Sequence, residues 1–173
     1  MRNLVLATLL ASACASAQQY EGLWQGYGPE WDHAMSQMIR LAEATPQEKF
    51  DWRPAAGVRS FSEVCMHVAL SNYMLLGAVG VTQPTGLHGS MEKSVIVKSD
   101  VVEWLKRSTD AVRLAHAKAT PADLQRRVKI SETTATIEGI YLRILVHANE
   151  HMGQLIAYAR TIGVVPPWTE QSK

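Results

Sequence analysis

Residues 136–163, TIEGIYLRILVHANEHMGQLIAYARTIG, hold the pattern from which the rest of the chain is best read. The stretch contains no proline, opens on Thr136 and stops at Gly163, just before Pro166 and Pro167. It therefore reads as one long helix from about Thr136 to Ile162. His147 and His151 are four residues apart, so their side chains diverge by only about 40° around the axis and both rings can reach one ion. Gln154 lies about 20° to one side of His147, and Tyr158 and Ile140 about 20° to the other. That stripe is partly apolar, which turns the histidines inward. Two imidazoles buried side by side are costly unless their nitrogens find partners, and a divalent cation satisfies both at once. Leu145, Met152 and Ile156 fall opposite the histidine face, so the helix is apolar nearly all round and needs two partners. The expected second partner is the Trp-rich N-terminal segment or another subunit.

Three more helices precede it. Pro29 suits a first helical position with Gly28 capping, and Trp31, Met35, Met38, Leu41 and Ala42 recur at three- and four-residue steps up to about Ala44. Thr45 and Pro46 begin a break. Ser60 followed by Glu63 is a capping box that opens a second helix reaching about Leu76. Residues 77–98 carry four glycines, one proline and two threonines, the composition of a long crossover loop able to cover a site. Ser99 and Asp100 are placed to cap a third helix, with Val101, Trp104, Leu105, Ser108, Val112 and Ala115 on one stripe. It ends near Thr120 and Pro121. Residues 122–134 read as connection, with at most a short extended stretch from Arg127 to Ile130. At 173 residues and 47% apolar composition the chain makes one domain. The expected fold is an all-α four-helix bundle with long crossover connections.

Two ligands rarely hold a metal, and His67 on the second helix is the best third. Val64, Leu70, Ser71 and Met74 share its face and place it in the bundle interior. Glu63, one turn earlier, is positioned to orient its ring. Cys65 points elsewhere and reads as a small core residue. His33, His88 and His116 read as solvated, and Tyr20, Trp24, Tyr27 and Trp31 as packing. His147, Glu150 and His151 also match the H-x-x-E-H pattern of inverted zinc peptidases. Those enzymes are much larger and take a distant acidic third ligand that this chain does not visibly supply.

The first seventeen residues join Arg2 to an apolar run and end in Ala15, Ser16 and Ala17, a signal-peptidase pattern with cleavage before Gln18. The chain is then exported, periplasmic or secreted. A lipidated Cys14 is the weaker alternative, since Ala11 stands where leucine is typical. No segment is long and apolar enough for a membrane span. With 17 basic and 16 acidic side chains, or 16 of each without Arg2, nothing advertises a nucleic-acid partner. Removing Cys14 leaves a single thiol, so the core must carry the fold without a disulfide.

Residues 53–76, RPAAGVRSFSEVCMHVALSNYMLL, resemble the second-helix signature of DinB/YfiT-like proteins, and residues 146–168, VHANEHMGQLIAYARTIGVVPPW, resemble the matching last-helix signature. The resemblance spans residues 29–168, leaving a leader at 1–17, a segment at 18–28 and a tail at 169–173. It implies an up-down-down-up topology, a homodimer, and nickel or zinc held by His67, His147 and His151. One position departs: the family often has arginine after the last histidine, where this chain has Met152. Some relatives are thiol transferases that use cytosolic thiols, which an exported protein would meet little of, so the small-molecule substrate does not carry over.

Three neutral nitrogen ligands leave coordination positions open, as in catalytic rather than structural sites. A metal-dependent hydrolase or thiol S-transferase is the expectation, with Glu63, Glu150 or Tyr158 handling protons. The rivals are a non-catalytic metal- or ligand-binding module of the cell envelope and a bare bundle without metal.

Overall fold

A computed structural model of the chain describes residues 26–169. The expected leader, Cys14, Tyr20, Trp24 and most of the tail lie outside the described residues. Four long helices form the body: α1 (Tyr27–Ala44), α2 (Phe61–Ala78), α4 (Lys98–Lys118) and α6 (Ile137–Thr161). Two short ones, α3 (Met91–Ser94) and α5 (Pro121–Gln125), sit in the connections. Between α5 and α6 the expected connection is a hairpin, β1 (Arg127–Ile130) antiparallel to β2 (Thr133–Thr136). The β-branched run at Thr133, Thr134 and Thr136 supplied the second strand that the sequence reading lacked.

Side-chain contacts fix the directions. Tyr27 meets His116 and Glu43 meets Lys106, so α1 and α4 run antiparallel. Tyr27 also meets Tyr141, so α1 and α6 start at the same end. Arg59, just before α2, bonds Tyr158 near the end of α6, so α2 and α6 are antiparallel. The order is therefore up, down, down, up, with α4 and α6 each packed on both α1 and α2. Because α2 and α4 point the same way, the chain must travel the length of the bundle between them, and residues 79–97 are that crossover. Among the described residues α6 packs on α1 and α2, while residues 18–25 of the expected N-terminal partner lie outside them. Leu142 and Val146, at 58% and 41% exposure, remain uncovered on its outer side.

The core runs through all four helices and includes Trp31, Met35, Met38, Phe61, Met66, Leu105, Ile144 and Leu155, each fully buried. Each such side chain contributes about 1.5–3 kcal/mol relative to exposure. Trp31 also donates its indole N–H to the carbonyl of Thr109, 3.1 Å away, tying α1 to α4. Cys65 is buried, as expected of a core residue.

The helix starts are set by different means. Ser60 Oγ accepts from the backbone N–H of Glu63 at 3.2 Å, and Glu63 accepts from the N–H of Ser60 at 2.8 Å, so the capping box of α2 forms. Thr136 caps α6 by accepting from Gly139 at 3.0 Å. The third long helix starts at Lys98 without the expected Ser99 or Asp100 cap. Its first N–H is met across the fold instead: Gln47 Oε1 accepts from the N–H of Lys98 at 2.6 Å, while Gln47 Nε2 donates to the carbonyl of Ile96 just before the helix. Such a tertiary cap leaves no local trace in sequence. Ser60→Ala removes an acceptor inside a buried cap and is expected to cost about 1 kcal/mol. A urea midpoint equal to that of the parent protein would contradict this.

Candidate metal centre

His67 comes from the middle of α2, and His147 and His151 from successive turns of α6, where the two antiparallel helices face each other. The ring centres of His67 lie 5.0 Å from His147 and 4.9 Å from His151. His147 Nε2 stands 3.1 Å from His67 Nε2 and 3.2 Å from His151 Nε2, so all three Nε2 atoms turn toward a common point. Metal bonds of about 2.0–2.1 Å at angles between tetrahedral and octahedral place ligand nitrogens about 2.9–3.4 Å apart. The two separations from His147 fit that interval, and the ligand atoms of all three histidines lie within 4.8 Å of one another.

The proton positions follow from the outer hydrogen bonds. His67 Nδ1 lies 2.9 Å from a carboxylate oxygen of Glu92, which at neutral pH can only accept. Its proton is therefore on Nδ1, and the lone pair on Nε2 faces the centre. A longer chain sets His151. The Tyr158 hydroxyl donates to the carbonyl of Arg59 at 3.3 Å, and so it accepts from Gln154 Nε2 at 2.7 Å. That turns Gln154 Oε1 toward His151 Nδ1 at 2.9 Å, where it must accept. His151 also presents its Nε2 lone pair to the centre. His147 Nδ1 is buried without a hydrogen-bond partner among the described residues. A cation meets three converging lone pairs at once, whereas one proton can bridge only two of them, so the donor set suits a metal.

Burial, followed by the nearby His151 and His67, lowers the pKa of His147 to about 4. Burial also lowers His67, partly opposed by its hydrogen bond to Glu92. Burial disfavours charge on Glu92 too, but hydrogen bonds from Arg59 at 2.6 Å and from His67 outweigh it and hold the carboxyl below its ordinary range. In metal-free protein the unfolded chain takes up histidine protons near pH 6.5 while the folded one resists. The unfolded state then holds more protons between about pH 6.5 and the lowered value of His147 near 4. Stability is expected to fall as pH falls through that window. A urea midpoint for the metal-free chain that does not drop between pH 7 and pH 5 would count against buried neutral imidazoles.

Two of the three expected proton-handling residues are engaged elsewhere. Glu63 was expected to orient His67, but helical side chains lean toward the N-terminus. Its carboxylate is accordingly held by the N–H of Ser60 and by both terminal nitrogens of Arg53, at 3.1 and 3.2 Å. Glu150 is turned outward, with both oxygens on Arg143 at 3.0 and 2.9 Å. The hydrogen bond from Arg143 keeps its carboxyl low. The general-base geometry suggested by H-x-x-E-H is therefore not assembled. Tyr158 is connected to the centre, acting through Gln154 on the ring of His151. The residue that orients His67 is Glu92, from α3 inside the crossover, which sequence reading missed. An acidic residue in a glycine-rich loop carries no periodic signal, and only the path of the crossover brings it to α2.

Of the remaining histidines, His33 and His88 are exposed as expected. His116 is half-buried rather than fully solvated: it stacks on Tyr27 at 4.2 Å between ring centres and meets Tyr141 at 4.9 Å, and burial lowers its pKa.

Two cavities flank the centre. One of about 340 Å³ is bounded by His67, Leu70, Met74, Leu87 and Glu92 and is mostly apolar. The other, about 530 Å³, is lined by Arg53, Arg59, Glu63, Glu92, Lys93 and Gln154. Glu92 is common to both, so the crossover forms part of the wall of the site. Among the described residues no helix is long and apolar enough to cross a membrane.

A helical bundle carrying a three-histidine cluster between two antiparallel helices defines the class of protein. The sequence matches the DinB superfamily over residues 30–155, and the chain belongs to that superfamily. Two solved structures share the fold. A DinB-like protein from Bacillus cereus is 15% identical with a TM-score of 0.71, over 83% of this chain and 95% of that one. A DinB-like protein from Bacillus subtilis is 17% identical with a TM-score of 0.64, over 80% and 93%. A search of the curated proteins returns no match.

Proposed function

We propose that the protein is a metal-dependent enzyme of the hydrolase or thiol S-transferase type, with one divalent ion held by His67, His147 and His151. The observation that carries this reading is the convergence of three Nε2 atoms whose outer nitrogens are, for two of the rings, already committed as donors. Three neutral ligands leave positions for a small molecule, and the flanking cavities offer it room. Such an ion lowers the pKa of a water or thiol toward neutrality. The protein's own part is to hold the rings by Glu92 and by Gln154 with Tyr158, and to present the cationic Arg59 and Lys93 beside the centre. Imidazole ligands suit zinc or nickel.

Elemental analysis of purified protein tests the metal, with about one ion per chain expected. Hydrolysis of activated esters and transfer of small thiols by metal-loaded protein, compared with His67→Ala and His151→Ala, tests catalysis. Rates equal to those of the two variants would favour the second reading, a non-catalytic metal- or ligand-binding module. We further propose export through the leader-like first seventeen residues, checked by fractionation and by a mature terminus at Gln18. Exposed Leu142 and Val146 fit a homodimer face, checked by sedimentation.

A further inference from the structure

Near the end of the bundle where α1 and α6 begin lies a third cavity, of about 480 Å³, lined by none of the metal-centre residues. Its α6 wall runs from Glu138 to Leu145, and Leu145, two residues before His147, points about 160° away from it around the helix. The volume falls in the range of small-molecule sites. Three features of its lining point to one ligand chemistry.

The first is a pair of unmet polar atoms. The Tyr27 hydroxyl and Oε1 of Glu30 are both buried and without a hydrogen-bond partner among the described residues. Both belong to the first turn of α1 and both residues line the cavity. A buried carboxylate oxygen without a donor is costly, so the site is built for something that donates. The second is the charge balance: Glu30 and Glu138 are the ionisable acids of the lining, and among the described residues no lysine or arginine accompanies them. Of the Glu138 oxygens, Oε2 accepts from Gln125 at 3.1 Å. The third is the apolar wall. Tyr27, His116 and Tyr141 are in mutual ring contact, with centres 4.2 to 5.4 Å apart, and Leu142 stands beside them. Aromatic faces attract cations, and the leucine lining favours a hydrocarbon body.

We infer that this cavity binds an organic ammonium ion, a primary amine carried on an aromatic or alkyl body. The ammonium pairs with the Glu30 carboxylate, a turn of the Glu30 and Tyr27 side chains bringing their oxygens to it, and the body lies against Tyr141 and Leu142. Water neutralises no charge and fills no apolar wall. A bare inorganic cation is too small for the volume. The site is independent of the metal centre, and its test does not require metal.

Calorimetric titration of the full chain with 2-phenylethylamine and n-hexylamine, each against its neutral alcohol counterpart, tests the inference. At least one amine is expected to bind at one per chain and about tenfold or more tighter than its alcohol. Glu30→Gln should remove that preference, with an unchanged thermal melt showing that the fold persists. Tyr27→Phe, which keeps the ring, should weaken the amine by about threefold and serves if Glu30→Gln does not fold. His67→Ala should leave amine binding unchanged. The inference is overturned by the absence of amine binding at millimolar concentration, by equal binding of amines and alcohols, or by an amine affinity insensitive to both cavity variants.

Discussion

His67→Ala is expected to leave a folded protein that retains almost no metal, while the parent chain carries about one ion. His67 is the only one of the three histidines that α2 contributes, so its loss leaves two ligands on one helix. Two imidazoles on one helix rarely hold an ion against competition from solvent and buffer. The fold should persist because His67 is only partly buried and the α2 core around it, Val64, Met66 and Val68, is untouched. The stability that metal adds should vanish with it. An ion at 1,000 times its dissociation constant stabilises the folded state by about 4 kcal/mol. Adding zinc or nickel should therefore raise the melting temperature of the parent chain and not that of the variant. Full metal content in His67→Ala would sink the assignment of the centre. Loss of metal together with loss of helical circular dichroism would instead make His67 a folding residue.

Glu92 should matter nearly as much, though it touches no ion. Its carboxylate fixes the tautomer of His67 at 2.9 Å and is itself held by Arg59. Groups that orient a ligand histidine in this way are worth about 10- to 100-fold in metal affinity. Glu92→Ala is expected near the upper end of that range, because it frees the ring and leaves Arg59 facing the site uncompensated. Glu92→Gln keeps an acceptor for His67 Nδ1 but loses the charge, and is expected near the lower end. Competition with a chromophoric chelator measures both. Because Glu92 belongs to the crossover and not to the bundle core, neither variant should change the urea midpoint of metal-free protein much. Parent-like metal affinity in Glu92→Ala would show that the contact positions nothing. A large loss of metal-free stability would recast Glu92 as an anchor for the crossover.

Much of the fold was legible because it rests on local rules. The four long helices show in the spacing of Trp31, Met35 and Met38, of Val101, Leu105 and Val112, and in the capping box at Ser60. The His147 and His151 pair was legible for the same reason, since a four-residue step is set by helical geometry alone. His67 could be nominated from its apolar face, and the family resemblance paired it with the other two. The second strand of the hairpin was missed because four residues, three of them threonine, suit a loop or a strand equally until a partner is in place. His116 was misjudged because its burial comes from Tyr27 and Tyr141, which lie far from it in sequence.

The sequence by itself determined the helices, their inward faces and the histidine pair, since each depends on residues within a few turns of one another. Only the tertiary structure decided what surrounds the pair. It brought Glu92 to His67 through the crossover, gave Glu63 to Arg53, and joined Tyr158 to Arg59 across 99 residues. A charged side chain takes whichever partner the folded chain brings within about 3 Å, and that choice depends on how distant segments pass one another rather than on periodicity.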